Sequence, residues 1–363
     1  MEAQYLLLVL LLFPVLWPFV AKRIWHQDIS WTEMGLNIGL VGLLVVAIFY
    51  AGHYAQTADT EIWNGAVTGK EKEWTSCEHS YSCNCRESCS GSGKDRSCSE
   101  VCDTCYEHSN DWNWKVRTTI GNFNISRIDS RGSKEPPRWS KVASGQPVAF
   151  EKPYVNYIKA VPESLFHFNS SLKEQHEKLL VRYPRVFDYH YANRVIPVGV
   201  TLPDIEAWNY ELALMLRELG PKKQANIVLI VVKTPDQGYA HAIEAHWLGG
   251  KKNDVVVVLG VPEYPNIGWA YIMSWTDSQI FKVQLRDALL ALGTVEKDAV
   301  LRTIHQHVAT TFVRKPMADF AYLKDEIRPP TWVIVFAAMF GILGSIGLSF
   351  LFRQKDVNLT LGK

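Results

Sequence analysis

Apolar residues gather at the two ends of this chain, and the stretch between them carries the mixed patterning of a water-soluble protein. Residues 5–21, 34–52 and 331–352 each run without a charge. Their lengths of 17, 19 and 22 residues suit helices that cross about 30 Å of hydrocarbon. Three membrane spans are predicted, the first kinked at Pro14 and Pro18. A cleaved signal peptide is the rival reading of that first run, but Glu2 stands before it and FVAKR after it, which favours a retained segment. Small residues recur in the other two. Gly35, Gly39 and Gly42 mark the second run, and Ala337, Gly341, Ser345 and Ser349 mark the third at every fourth position. Such stripes allow close helix approach, so they predict that these helices pack together or drive self-association in the bilayer.

Basic residues set the expected orientation. Lys22 and Arg23 lie between the first two runs, and Arg353, Lys355 and Lys363 follow the third. Short loops rich in Lys and Arg stay in the cytoplasm. The N-terminus and residues 53–328 are then expected on the opposite side, with the C-terminus inside.

Between the spans, residues 53–165 read as a β-rich module. Trp112, Trp114, Val116, Thr118 and Ile120 alternate, Gly121-Asn122 breaks the run, and Phe123 and Ile125 resume it, which predicts a hairpin. Residues 129–147 read as loop, and 148–150 and 154–160 as further strand. Residues 166–199 read as a connector. From 200 to 328 the pattern changes. Asp204 opens a helix with Trp208, Leu212, Met215, Leu216 and Leu219 on one face. Residues 225–232 and 255–259 are continuous apolar runs, as in strands covered on both sides, with a helix over 239–248 between them. Trp269, Tyr271, Met273 and Trp275 alternate as a third strand. Asp277 is expected to cap a helix reaching 292, and 296–312 forms another. The order α-β-α-β-β-α-α predicts an open α/β sandwich.

The balance of 38 basic against 37 acidic side chains, a net charge of +1, removes the electrostatic case for nucleic-acid binding. All seven cysteines, Cys77, Cys83, Cys85, Cys89, Cys98, Cys102 and Cys105, fall in one 29-residue window. On the non-cytoplasmic side, thiols tend to become disulfides. The turn at Ser90-Gly91-Ser92-Gly93-Lys94 could bring Cys89 near Cys98. The remaining pairing is open, and one cysteine is left over. Zinc is the competing reading, with Cys83-x-Cys85 and Cys102-x2-Cys105 joined by His79 or His108. Either way the window acts as a staple.

Candidate chemistry elsewhere is sparse. His241, Glu244 and His246 have metal-ligand types at a spacing that splays the two histidines around a helix. Asp236, Glu263 and Asp277 follow the three strands, and with Asp254 they could hold a hard cation such as Ca²⁺.

The strings QANIVLIVV, KKNDVVVVLG and WAYIMSWTD, then the helices of 278–312 and the span of 331–352, resemble the TPM domain family. The resemblance covers residues 200–315, although the family's glycine-rich string after the third strand is replaced by Met273-Ser274-Trp275. It implies a metal-binding or metal-assisted phosphatase domain, but the lost glycines and the lack of a catalytic constellation favour binding over catalysis. EIWNG (61–65), SYSCNCRESCSGSGKDRSC (80–98), CDTCYEH (102–108) and YVNYIKAVPESLF (154–166) resemble membrane proteins of large tailed bacteriophages, which implies a host inner membrane and a periplasmic ectodomain. The function expected is a membrane-anchored, non-catalytic protein with an extracytoplasmic domain for a protein partner. A membrane-tethered phosphatase-like hydrolase and a pore or holin-like element are the alternatives.

Overall fold

The computed structural model describes residues 3–25, 30–90, 97–161, 170–188 and 191–354. Two helices come first, α1 (Ala3–Ile24) and α2 (Trp31–Thr57). Five strands follow: β1 (Ala58–Thr75), β2 (Ser80–Ser90), β3 (Ser97–Tyr106), β4 (Asp111–Thr118) and β5 (Phe123–Ile125). After β6 (Pro147–Val155) and β7 (Val195–Val198) the chain alternates through α3 (Ile205–Lys223), β8 (Asn226–Val232), α4 (Gly238–His246), β9 (Asp254–Gly260) and β10 (Trp269–Ser274). Helices α5 (Gln279–Ala291), α6 (Lys297–Thr311) and α7 (Thr331–Gln354) complete the order.

Helices α1, α2 and α7 are each long and apolar enough to cross a membrane, and they pack on one another. Helix α2 starts at a capping box: Ser30 Oγ accepts from the Glu33 amide, and the Glu33 carboxylate accepts from the Ser30 amide. The stripe Ala337, Gly341, Ser345, Ser349 of α7 is buried in the bundle. A β-carbon on Gly341 would stand 3.3 Å from both Pro14 and Val45. The GxxxG pair of α2 behaves otherwise. Gly35 and Gly39 are exposed, and a β-carbon on either would meet no atom within 4 Å among the described residues. The two small-residue stripes therefore do not pack together. The face of α2 that meets α7 carries Asn37, Val41 and Val45, and Asn37 Nδ2 donates to Ser345 O and Ser349 Oγ, both at 3.0 Å.

Helix α2 passes into β1 without a linker, Thr57 closing the helix and Ala58 opening the strand. The first half of β1 (58–66) pairs antiparallel with β6, and the second half (67–75) with β4 across a bulge at Val67/Gly69. The sheet order is β5-β4-β1-β6, and its core is Val67, Trp114, Val116, Ile120, Ile125, Val142 and Val148. The hairpin expected at 112–125 is present. Strand β6 ends at Val155, earlier than expected: the Asn156 side chain accepts from the Lys159 amide and caps a helical turn, Tyr157–Ala160.

The α/β unit has the sheet order β10-β9-β8-β7. Strands β7, β8 and β9 are parallel and β10 is antiparallel to β9. The edge strand β7 lies in the stretch read as a connector, so the order begins with a strand. Side chains of β8 alternate between two cores. Ile227, Leu229 and Val231 meet α3, α5 and α6 through Leu212, Phe281 and Ile304. Val228, Ile230 and Val232 meet α4 through Tyr239 and Ile243. Helix α5 has Ser278, not Asp277, at its N-cap. Asp277 instead stands 3.5 Å from Lys315 Nζ.

Candidate functional site

Strands β2 and β3 form a separate two-stranded hairpin, here called the arm. It carries all three cysteine pairs at disulfide distance: Cys83 with Cys105, Cys85 with Cys102, and Cys89 with Cys98. Cys89 faces Cys98 in register, as expected, although the turn read at Ser90–Lys94 lies from Gly91 onward outside the described residues, while a register shift between Cys83 and Arg86 brings Cys85 to Cys102. The four thiols read above as a zinc set are thus paired with one another. Strand β2 is exposed along nearly its whole length, and Tyr81, Val101 and Tyr106 present large apolar surfaces to solvent.

At the root of the arm the seventh cysteine, Cys77, is buried and free. It shares a pocket of donor atoms with His79, His108 and Asp111, all lying within 4.8 Å of one another. Cys77 Sγ is 3.8 Å from His108 Nδ1, which is 3.4 Å from Asp111 Oδ1, and His79 Nδ1 is 3.5 Å from Asp111 Oδ2. Asp111 is fully buried. Its Oδ2 accepts from the Glu78 amide at 3.0 Å and from Arg127 Nη1 at 3.1 Å. Burial alone would raise this carboxyl, but the Glu78 hydrogen bond and the Arg127 charge outweigh it and hold it below the usual range. Sequence reasoning marked both histidines and an odd cysteine, but no spacing signal pointed to Asp111.

A second polar cluster joins the β module to the α/β unit. Arg194 Nη2 donates to Asn64 Oδ1 and Arg194 Nε to Asn226 Oδ1, and Asn64 Nδ2 donates to Ala225 O at 3.1 Å. Burial pulls Arg194 down to about 10, so it stays charged at neutral pH. Asp254 Oδ1 accepts from Asn226 Nδ2 and Tyr183 OH, both at 2.9 Å, and Oδ2 accepts from the Lys251 amide at 2.7 Å. Burial pushes Asp254 up to about 6 against those hydrogen bonds. On the other side of the seam, Asp59 pairs with Lys251, and Glu61 accepts from Arg314 Nη2 at 2.6 and 2.8 Å. For Asp59, burial is outweighed by the Lys251 and Asn156 hydrogen bonds, and its carboxyl lies below its ordinary value.

The acidic residues considered for a hard cation do not converge. Asp236 and Glu263 follow the carboxyl ends of the parallel strands β8 and β9. Strand β10 runs the other way, with Ser274 beside Val255, so Asp277 emerges at the opposite end of the sheet. Asp254 opens β9 and is enclosed in the seam. Asp236 faces His176 Nε2 at 3.1 Å. His241 is exposed, 3.7 Å from Glu244, which accepts from Tyr271 OH.

No protein-family model matches the sequence, and no curated protein and no solved structure matches it.

Proposed function

We propose that this is a membrane-anchored protein that holds its ectodomain, residues 58–328, on the non-cytoplasmic face and offers the arm to a protein partner. The observation that carries this reading is the ladder of three cysteine pairs along one exposed hairpin. Disulfides persist in oxidising compartments, and their placement agrees with the orientation read from Lys22, Arg23 and Arg353. In a bacterial host this face is the periplasmic side of the inner membrane, the setting implied by the phage resemblance. The arm has almost no core of its own, so covalent rungs substitute for packing. Exposed Tyr81 and Tyr106 are residue types favoured at interfaces. The strand and helix order of 195–311 is compatible with a TPM-like binding domain, read here as a platform rather than a catalyst.

Reporter insertions after residue 140 and after residue 363 test the orientation. An external signal from the first and a cytoplasmic one from the second are expected, and the reverse pattern sinks the proposal. A photo-crosslinking side chain at Tyr81 should give a discrete adduct in native membranes that the same group at Tyr210, on α3, does not give.

A further inference from the structure

We infer that Cys77, His79, His108 and Asp111 bind one zinc ion, which clasps the arm to the sheet at its root. The donor set mixes one thiol, two imidazoles and one carboxylate, the ligand types zinc takes. The geometry fits as well. Tetrahedral bonds of about 2.0–2.3 Å place neighbouring ligand atoms about 3.3–3.6 Å apart. His108 Nδ1 stands 3.4 Å from Asp111 Oδ1, Cys77 Sγ stands 3.8 Å from His108 Nδ1, and all four ligand atoms lie within 4.8 Å of one another, so a contraction of a few tenths of an ångström closes the sphere.

Independent observations point to a missing partner at the centre. Asp111 is fully buried, yet its Oδ1 accepts no hydrogen bond among the described residues, and the buried Nδ1 of His79 has no hydrogen-bond partner either. The other carboxylate oxygen is already fixed by the Glu78 amide and Arg127. Such outer contacts orient a ligating carboxylate and leave one oxygen for the metal. Cys77 is the one cysteine of seven outside the disulfide pairs, and a thiolate bound to zinc is shielded from oxidation where its neighbours are paired.

The position says what the ion does. Thr75, the last residue of β1, pairs with Asp111, the first of β4. Cys77 and His79 lie on the short segment leaving the sheet between β1 and β2, His108 lies on the segment returning from β3, and Asp111 opens β4. The Glu107 amide already donates to His79 O at 3.0 Å across this neck. Four protein ligands close the coordination sphere, as in structural zinc sites, whereas catalytic ones keep a position open. The clasp therefore sets the direction of the arm and performs no chemistry of its own.

The test uses the full-length protein in detergent micelles, stripped with a chelator and titrated with Co²⁺ and then Zn²⁺. One Co²⁺ per chain is expected, with the visible bands of tetrahedral cobalt and a thiolate charge-transfer band, both abolished by one equivalent of Zn²⁺. Cys77→Ser should remove the charge-transfer band, and His108→Ala should weaken binding more than about tenfold. Glu263→Gln, remote from the neck, should change neither. Because the variants could misfold, alkylation of Cys77 in the unaltered chain decides independently: zinc should block it and chelator restore it. A charge-transfer band that survives Cys77→Ser, the absence of tetrahedral bands in the unaltered chain, or equal alkylation with and without zinc would each overturn the assignment.

Discussion

The main-chain oxygen of Asn64 occupies the space a side chain on residue 220 would need: a β-carbon built on Gly220 comes within 2.1 Å of it. Helix α3 thus touches β1 backbone to backbone, and only glycine allows that approach. Gly220→Ala must push the β module off the α/β unit or distort α3. Overpacking of this kind costs about 1–3 kcal/mol or more. Thermal unfolding of the full-length protein in micelles should show a lowered midpoint, and an unchanged midpoint would mean that the two units are not held in this contact.

Glu61 is almost wholly buried and depends on Arg314, which is itself partly open to solvent. Removing the cation leaves the carboxylate, among the described residues, with Lys252 3.7 Å away and the Trp63 indole N–H at 2.7 Å. Breaking such a pair from one side costs about 3–5 kcal/mol when burial is complete. Arg314→Met should therefore destabilise more than Glu61→Gln, whose amide oxygen can still accept from Trp63 and Arg314. Chemical denaturation of the two variants in parallel checks the order.

Peptide mapping under non-reducing conditions in the presence of a chelator should recover Cys83–Cys105, Cys85–Cys102 and Cys89–Cys98, leaving Cys77 as the single alkylatable thiol. A different connectivity would break the strand register of the arm. Loss of one rung, as in the pair Cys89→Ser and Cys98→Ser, should open the tip to proteolysis between those positions while α3 and the parallel strands remain folded.

Asp254 gives a pH signature. Burial raises its folded value to about 6, above the ordinary 3.8. The folded chain therefore binds this proton more tightly than the unfolded chain. The contribution is fully present below about pH 4 and is lost as pH rises through about 6. Asp254→Asn removes that slope, although it also replaces one acceptor of the Asn226, Tyr183 and Lys251 hydrogen bonds by a donor. The stability difference between the unaltered chain and the variant should be larger near pH 4 than above pH 6. A difference that grows with pH would show that the hydrogen bonds, and not burial, dominate this carboxyl.

Much of this architecture could be read along the chain, and the gaps have physical causes. The runs of β8 and β9 announce themselves because every residue is buried, and the alternation from Trp112 to Ile120 marks β4. Strand β7 escaped because four residues, one of them Pro197, carry too short a pattern to separate from a loop. The reversed direction of β10 is invisible locally, since Trp269 to Trp275 alternates alike in either sense, and that direction is what separates Asp277 from Asp236. On α2, the GxxxG spacing of Gly35 and Gly39 suggests a contact face that the fold leaves exposed. The polar Asn37, one helical step away, is what reaches α7. At the neck of the arm, Cys77 and Asp111 lie 34 positions apart and meet only because β1 and β4 pair.

The direct passage from α2 into β1 has a mechanical consequence. A 27-residue helix and an 18-residue strand amount to about 40 Å and about 60 Å of contour with no slack segment between them. The junction is braced where the Asn156 amide donates to Thr57 O at 2.7 Å. A pull on β1 is therefore handed to α2 with no slack to absorb it, so helix and strand move as one rod.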